Sequence, residues 1–198
     1  LYQSGLCVKF IKVNTDNDGS VLLQKDCTVG GYYTGVHKPN YRYNETRIDS
    51  YLNDTFYNSF NSEYKSLIIN TAVPCNYGSV VSFNRYVYAP SAYELGVSDS
   101  LYPYKEGSTF EYFNNPVTRN LGRIVSVSDN IDVAIKDRYP TRTWNGTEGT
   151  YASQMVAIHA ATGSEGFMTE TRWDTPYRAV LKLKSDVNIY MNSKADGS

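Results

Sequence analysis

The chain has 198 residues, a formal charge of −1 at pH 7 and a pI near 6.2. That length suits one ordinary domain, burying roughly 70% of its unfolded surface and folding without staples. Its 19 Lys and Arg are scattered, which gives no footing for a nucleic-acid binder that tracks a charged backbone, and no run of about 18 apolar residues offers a membrane-spanning helix.

Residues Leu1 to Gly5 carry neither an initiator Met nor the charged and apolar regions of a signal peptide. The expectation is one domain over residues 1–198 whose N-terminus is truncated or preceded by other sequence. Leu6 to Val13 reads as a strand and Val21 to Cys27 as its hairpin partner, joined by the turn formers Asn14 to Gly19. Gly30 to Asn44 is loop-like and aromatic. The period then becomes helical: Ile48, Tyr51, Leu52 and Phe56 share a face, with Thr46 placed to cap and Asp49 three residues on. A second short helix is predicted over Ser62 to Asn70, capped by Ser62, with Pro74 closing the region. Tyr86 to Ala89 reads as a strand running into a capping box, Ser91 and Glu94, with Gly96 ending the turn. Residues 97–120 read as irregular. Strands are predicted at Gly122 to Ser128, Asp132 to Lys136, Tyr139 to Trp144, Met155 to Ala160, Gly166 to Thr171 and Tyr177 to Leu183. The class is α+β.

The candidate chemistry fails on spacing or partners. Asn14, Asp16, Asp18 and Gly19 imitate the start of a calcium loop, but Lys25 stands where the bidentate Glu belongs and strands flank the segment, so a hairpin turn is the plainer reading. Only His37 and His159 are available for a transition metal, and no Cys pair has ligand spacing. Cys75 or Cys27 with His159 can be written as a nucleophile pair, yet nothing local supports it. Gly163 to Gly166 reads as a turn rather than a nucleophile elbow. Nothing selects an acid pair among 20 carboxylates. No phosphate cradle is present. The odd number of cysteines, 3, argues for buried thiols, although a hairpin could bring Cys7 and Cys27 together for one bridge. Sequons occur at Asn44, Asn53 and Asn145, of consequence only in a secreted eukaryotic protein. No cofactor, no metal and no catalysis are expected.

Tyrosine is the outlier, with 19 Tyr against 7 Phe. Tyr joins a large contact area to one polar handle and loses little entropy on ordering, a composition suited to binding surfaces. Tyr32, Tyr33, His37, Tyr41, Arg42 and Tyr43 crowd one loop. With Trp144, Tyr151 and Trp173 they form the candidate ligand-binding set, able to stack on sugar faces or grip a protein. The competing reading folds half of the loop aromatics onto the core.

Several segments, in order, resemble an uncharacterised module of bacterial and phage proteins, a domain of unknown function related to the C-type-lectin-like and formylglycine-generating-enzyme-like fold. They are the Phe10 to Lys25 hairpin, Ile48 to Phe56, Ser59-Phe60, Lys65 to Ile68, Tyr88 to Gly96, Glu106-Gly107, Tyr112-Phe113, Thr141 to Trp144 and Tyr177 to Val187. Two departures stand out: the Trp-before-Arg order is lost around Arg142, and Ala179 replaces a Pro. The resemblance implies two helices with short antiparallel sheets and long loops gathered at one end, with Arg142 and Arg178 as buried, fold-holding charges. The enzyme branch of that superfold uses paired Cys, which find no match here. The expected function is a non-catalytic adhesin-like module on a phage virion or bacterial surface, extracellular, gripping a host cell-surface glycan or protein. The alternative is a structural virion or surface component that packs through Tyr-rich faces, as a homo-oligomer or larger assembly.

Overall fold

The computed structural model describes residues 2–3, 6–31, 43–76, 79–97, 105–125, 138–144, 154–169 and 175–189. It is a mixed α/β structure with few helices and several short antiparallel sheets. The largest sheet has four antiparallel strands. β3 (Phe10–Thr15) and β4 (Gly19–Gln24) form the predicted hairpin, although the strand predicted over Leu6 to Val13 is interrupted at Val8 and Lys9; β13 is Val180–Lys184, β8 is Val87–Tyr88, and the order is β3-β4-β13-β8. Val21, Leu22 and Leu23 in β4 and Val180 to Leu183 in β13 are all buried. Unbroken buried runs of this kind belong to strands covered on both faces.

The hairpin turn is shorter than predicted. The Asp16 carboxylate Oδ1 accepts the N–H groups of Asp18 and Gly19, so Asn14 and Thr15 remain in the strand. Lys182 sends its ammonium from the sheet to Asp16 at 2.7 Å and Asp18 at 3.3 Å. The acidic residues thus close a turn and neutralise a buried lysine stem.

Thr46 caps as predicted: its hydroxyl accepts the Asp49 N–H, opening α1 (Arg47–Ser50). The helix then widens into π geometry over Tyr51–Phe56 and tightens to a 3-10 turn at Tyr57–Ser59. Ile48, Leu52 and Phe56 form its buried stripe. α2 (Ser62–Leu67) is capped by Asn61 rather than Ser62, and it ends before Asn70 because Ile68 turns extended to bridge Leu183. Pro74 does not close the region. It lies within β6 (Thr71–Asn76), which pairs with the unpredicted β7 (Val80–Arg85). The Pro74 carbonyl faces away from β7, toward Arg142, so the missing N–H removes no ladder bond.

The region 105–125 is not irregular throughout. A 3-10 turn at Glu111–Phe113 leads to α3 (Pro116–Arg123), capped by Asn115 with Pro at the first helical position. The strand predicted from Gly122 is therefore overturned at Gly122 and Arg123. The rest of it, and the strand predicted at 132–136, lie outside the described residues.

β9 (Arg138–Trp144), β10 (Gln154–His159) and β11 (Glu165–Thr169) make a three-stranded sheet, with Gly163 at φ +68° in the turn between the last two. The strand predicted from Tyr177 divides into β12 (Thr175–Tyr177) and β13, because Arg178 turns inward between them. β12 pairs with β5 (Thr28–Gly31), and the two-residue strands β1 (Tyr2–Gln3) and β2 (Leu6–Cys7) pair at the N-terminal end. Cys27 is a buried thiol outside any disulfide, so the Cys7–Cys27 bridge is not formed, and Cys75 is buried as well. Among the described residues, no helix is long and apolar enough to cross a membrane.

Gly19 sits where β4 crosses β13. A Cβ there would overlap the Leu183 carbonyl, which is backbone and cannot move aside. Gly19→Ala is expected to destabilise the protein by more than about 3 kcal/mol, read as a lowered urea midpoint at unchanged slope.

Candidate functional site

The site grows from the capping box. Ser91 Oγ accepts the Glu94 N–H at 3.0 Å, and Glu94 Oε2 accepts the Ser91 N–H at 2.9 Å. Both residues are buried, so the box is more than a helix start: the Glu94 carboxylate also receives Arg142 from β9, Nη1 at 2.6 Å and Nη2 at 2.8 Å. Gly107 approaches the same carboxylate at φ +96°, and a Cβ there would lie 2.9 Å from Glu94 Oε1.

Arg142 is only 1% exposed. Its Nε donates to Pro74 O (3.1 Å), Nη1 also to Ala89 O (2.8 Å), and Nη2 also to Glu106 O (3.1 Å). The five guanidinium N–H groups therefore have five acceptors, the condition under which a buried charge is tolerated. The guanidinium carbon stands 5.3 Å from the centroid of the Tyr88 ring. Burial works against this charge, but the Glu94 and Glu106 carboxylates outweigh it and hold Arg142 above its ordinary pKa.

Glu106 completes the frame. Its Oε1 accepts the Asn76 N–H at 2.8 Å, its Oε2 accepts the Thr143 hydroxyl, and its carbonyl accepts the Ser91 hydroxyl at 2.8 Å. Thr143 Oγ1 in turn accepts the Ala92 N–H. Burial above all pushes the Glu106 carboxyl up to about 7 from its ordinary 4.5; Glu94 adds to this, while Arg142, Thr143 and the Asn76 N–H pull it back.

Arg178 is buried as deeply as Arg142, 1% exposed. It donates to the carbonyls of Gln24, Gly122 and Lys25 and to the Tyr139 hydroxyl, and it stands 5.3 Å from the Tyr139 ring centroid. Arg142 and Arg178 thus hold the fold together, as the family resemblance implies. Cys27 lies nearby, and burial pushes its thiol up to about 12, which keeps it protonated and unreactive at neutral pH. Among the described residues no group of three His, Cys, Asp or Glu side chains could hold a metal.

Of the predicted ligand-binding residues, Tyr32, Tyr33, His37, Tyr41, Arg42, Tyr151 and Trp173 lie outside the described residues. Trp144 ends β9, and its side chain is likewise outside the description. Tyr43 is a correction. It is 1% exposed, and its hydroxyl accepts the Ala89 N–H at 2.8 Å, so it is a core residue with a structural hydrogen bond. A run of aromatics in sequence does not distinguish the one that starts the helical segment from its neighbours.

What the structure brings together are the roots of the segments that carry those aromatics. Tyr43, directly after segment 32–42, reaches Ala89, whose carbonyl binds Arg142. Thr143, two residues before segment 145–153, binds Glu106, two residues after segment 98–104. Gly31, which precedes segment 32–42, pairs with Thr175, which follows segment 170–174. β12 in turn packs against β9. Sequence reasoning missed the contacts of Glu106 and Thr143 because their partners lie 30 and 37 residues away.

A family model described as Domain of unknown function (DUF6273) matches residues 18–184. No curated protein and no solved structure matches the chain.

Glu106 sets a pH dependence. Between pH 4.5 and about 7 the folded protein retains a proton that the unfolded chain has released. Its contribution to stability is full below that window and is lost as pH rises through 7, a span worth about 3 kcal/mol. Glu106→Gln is expected to flatten this slope in urea titrations between pH 5 and about 8. An unaltered slope would assign it to another group.

Proposed function

The chain belongs to the DUF6273 family, and from that premise and the frame described above we propose that it is a non-catalytic binding module whose ligand contacts lie on segments rooted in the Glu94–Arg142–Glu106 frame. The observation that carries this reading is the convergence of roots. Segments 32–42, 145–153 and 170–174, which hold Tyr32, Tyr33, His37, Tyr41, Arg42, Tyr151 and Trp173, depart from residues joined by hydrogen bonds or strand pairing. Binding residues are commonly carried on loops set on a rigid scaffold. The buried ionic groups support a non-catalytic role, since Arg142, Glu94 and Glu106 are engaged in holding backbone. The short antiparallel sheets suit a C-type-lectin-like arrangement. The partner would be a host cell-surface glycan or protein, and the setting a phage virion or bacterial surface.

One observation favours the structural alternative. Val117 and Leu121, four residues apart on α3, and Ile124, just past its end, are 67%, 63% and 44% exposed. Such a stripe would serve packing between copies of the chain.

The two readings separate by experiment. Pull-down on host cell-wall fractions should retain the protein and lose it at least tenfold with Tyr32→Ala/Tyr33→Ala, while sedimentation shows a monomer. Retention unchanged in that variant overturns the loop assignment. A stable oligomer that binds no cell-wall fraction favours the structural reading.

A further inference from the structure

We propose that an open polar depression between the π-helical segment and the end of β7 binds a neutral saccharide. This site shares no residue with the loop aromatics and goes beyond the loop reading. The depression has a volume of about 360 Å³ and is lined by Ser50, Asp54, Asn70, Asn84, Arg85 and Tyr86, among others. That volume falls in the range of small-ligand sites, roughly 300–1,000 Å³.

The walls are fixed. Arg85 grips the buried Asp49 carboxylate through Nε at 2.8 and 2.9 Å and Nη2 at 2.7 Å, tying β7 to α1 across 36 residues. Asn53, on the π-helical segment, donates to Val87 O and accepts the Val87 N–H, tying that segment to β8. Tyr86 stacks on Tyr57 with centroids 4.5 Å apart and planes 5° from parallel. Ser50 and Asp54 stand four residues apart, on one side of the widened helix.

The chemistry of the lining selects the ligand class. No described residue hydrogen-bonds to the Asp54 carboxylate or to the side-chain amides of Asn70 and Asn84. Each amide offers an acceptor and two donors, and the carboxylate accepts two hydroxyls, a set that matches vicinal hydroxyls, each both donor and acceptor. Tyr86 adds an aromatic group for the C–H face of a sugar ring. Charged ligands fit less well. The Arg85 charge is already closed by Asp49, so Asp54 would repel a phosphate. With Asp49 engaged, a calcium ion would find one unpaired carboxylate, where such sites use several.

The test uses the ¹⁵N-labelled 198-residue chain, titrated with lactose, maltose, cellobiose and N,N′-diacetylchitobiose. At least one should shift the amide signals of Ser50, Asp54, Asn70, Asn84 and Tyr86 saturably. Asn84→Ala and Asp54→Ala should each weaken the dissociation constant about tenfold or more, while the rest of the spectrum stays native. Tyr32→Ala/Tyr33→Ala should leave these shifts intact, so failure here is separable from failure of the loop reading. Absence of saturable shifts with every sugar, equal binding in the variants, or saturation by calcium chloride or inorganic phosphate instead, would each overturn the proposal.

Discussion

The Arg142 guanidinium is the point on which the architecture depends. An arginine stays charged at any pH a protein meets, so burying one is costly unless its N–H groups find acceptors. Here the acceptors come from Pro74 in β6, Ala89 after β8, the Glu94 turn and Glu106, while Arg142 itself belongs to β9. Among the described residues the sheets have two to four strands each and share no continuous ladder. Directional bonds from one side chain therefore fix how these pieces sit, a task that apolar contact alone leaves loosely defined. Arg178 repeats the device with backbone carbonyls and a tyrosine hydroxyl, joining the end of β4, the end of α3 and β9.

Most of what is local in this structure is legible in the sequence. The β3–β4 hairpin, the Thr46 cap and the Ser91–Glu94 box each depend on residues a few positions apart, and all three form. α3 carried a readable signal, Asn115 followed by Pro116, but its apolar residues Val117 and Leu121 face solvent, so the usual stripe-to-core argument gives no help. The β6–β7 hairpin is obscured because a proline occupies β6 and most of β7 is exposed, which leaves no alternation of buried and exposed positions to read. Burial of Arg142 and Arg178 is implied by family resemblance. Their partners are not, since Glu106 and Pro74 meet Arg142 only after the chain has folded.

The same limit governs the site. Tyrosine content permits a binding surface without saying which rings are exposed, and Tyr43 shows the ambiguity resolved toward the core. The Asp49–Arg85 pair joins a helix to a strand that local signals do not predict, so the depression beside it had no signature in the sequence. The frame and the depression have different physical characters. One is dry, with its charges paired and its donors matched. The other is wet, with amides and a carboxylate open to whatever the solvent brings.

Asn53 carries a consequence for how the protein can be made. It lies in the sequence Asn53-Asp54-Thr55, which eukaryotic secretory machinery reads as a glycan acceptor. In the folded protein its amide nitrogen donates to Asp49 O at 2.9 Å and Val87 O at 3.0 Å. A glycan on that nitrogen would leave one N–H where two carbonyls now compete for it, and would force a bulky sugar between the π-helical segment and β8. Attachment during secretion from a eukaryotic cell would thus oppose closure of the fold, whereas a bacterial cytoplasm imposes no such competition.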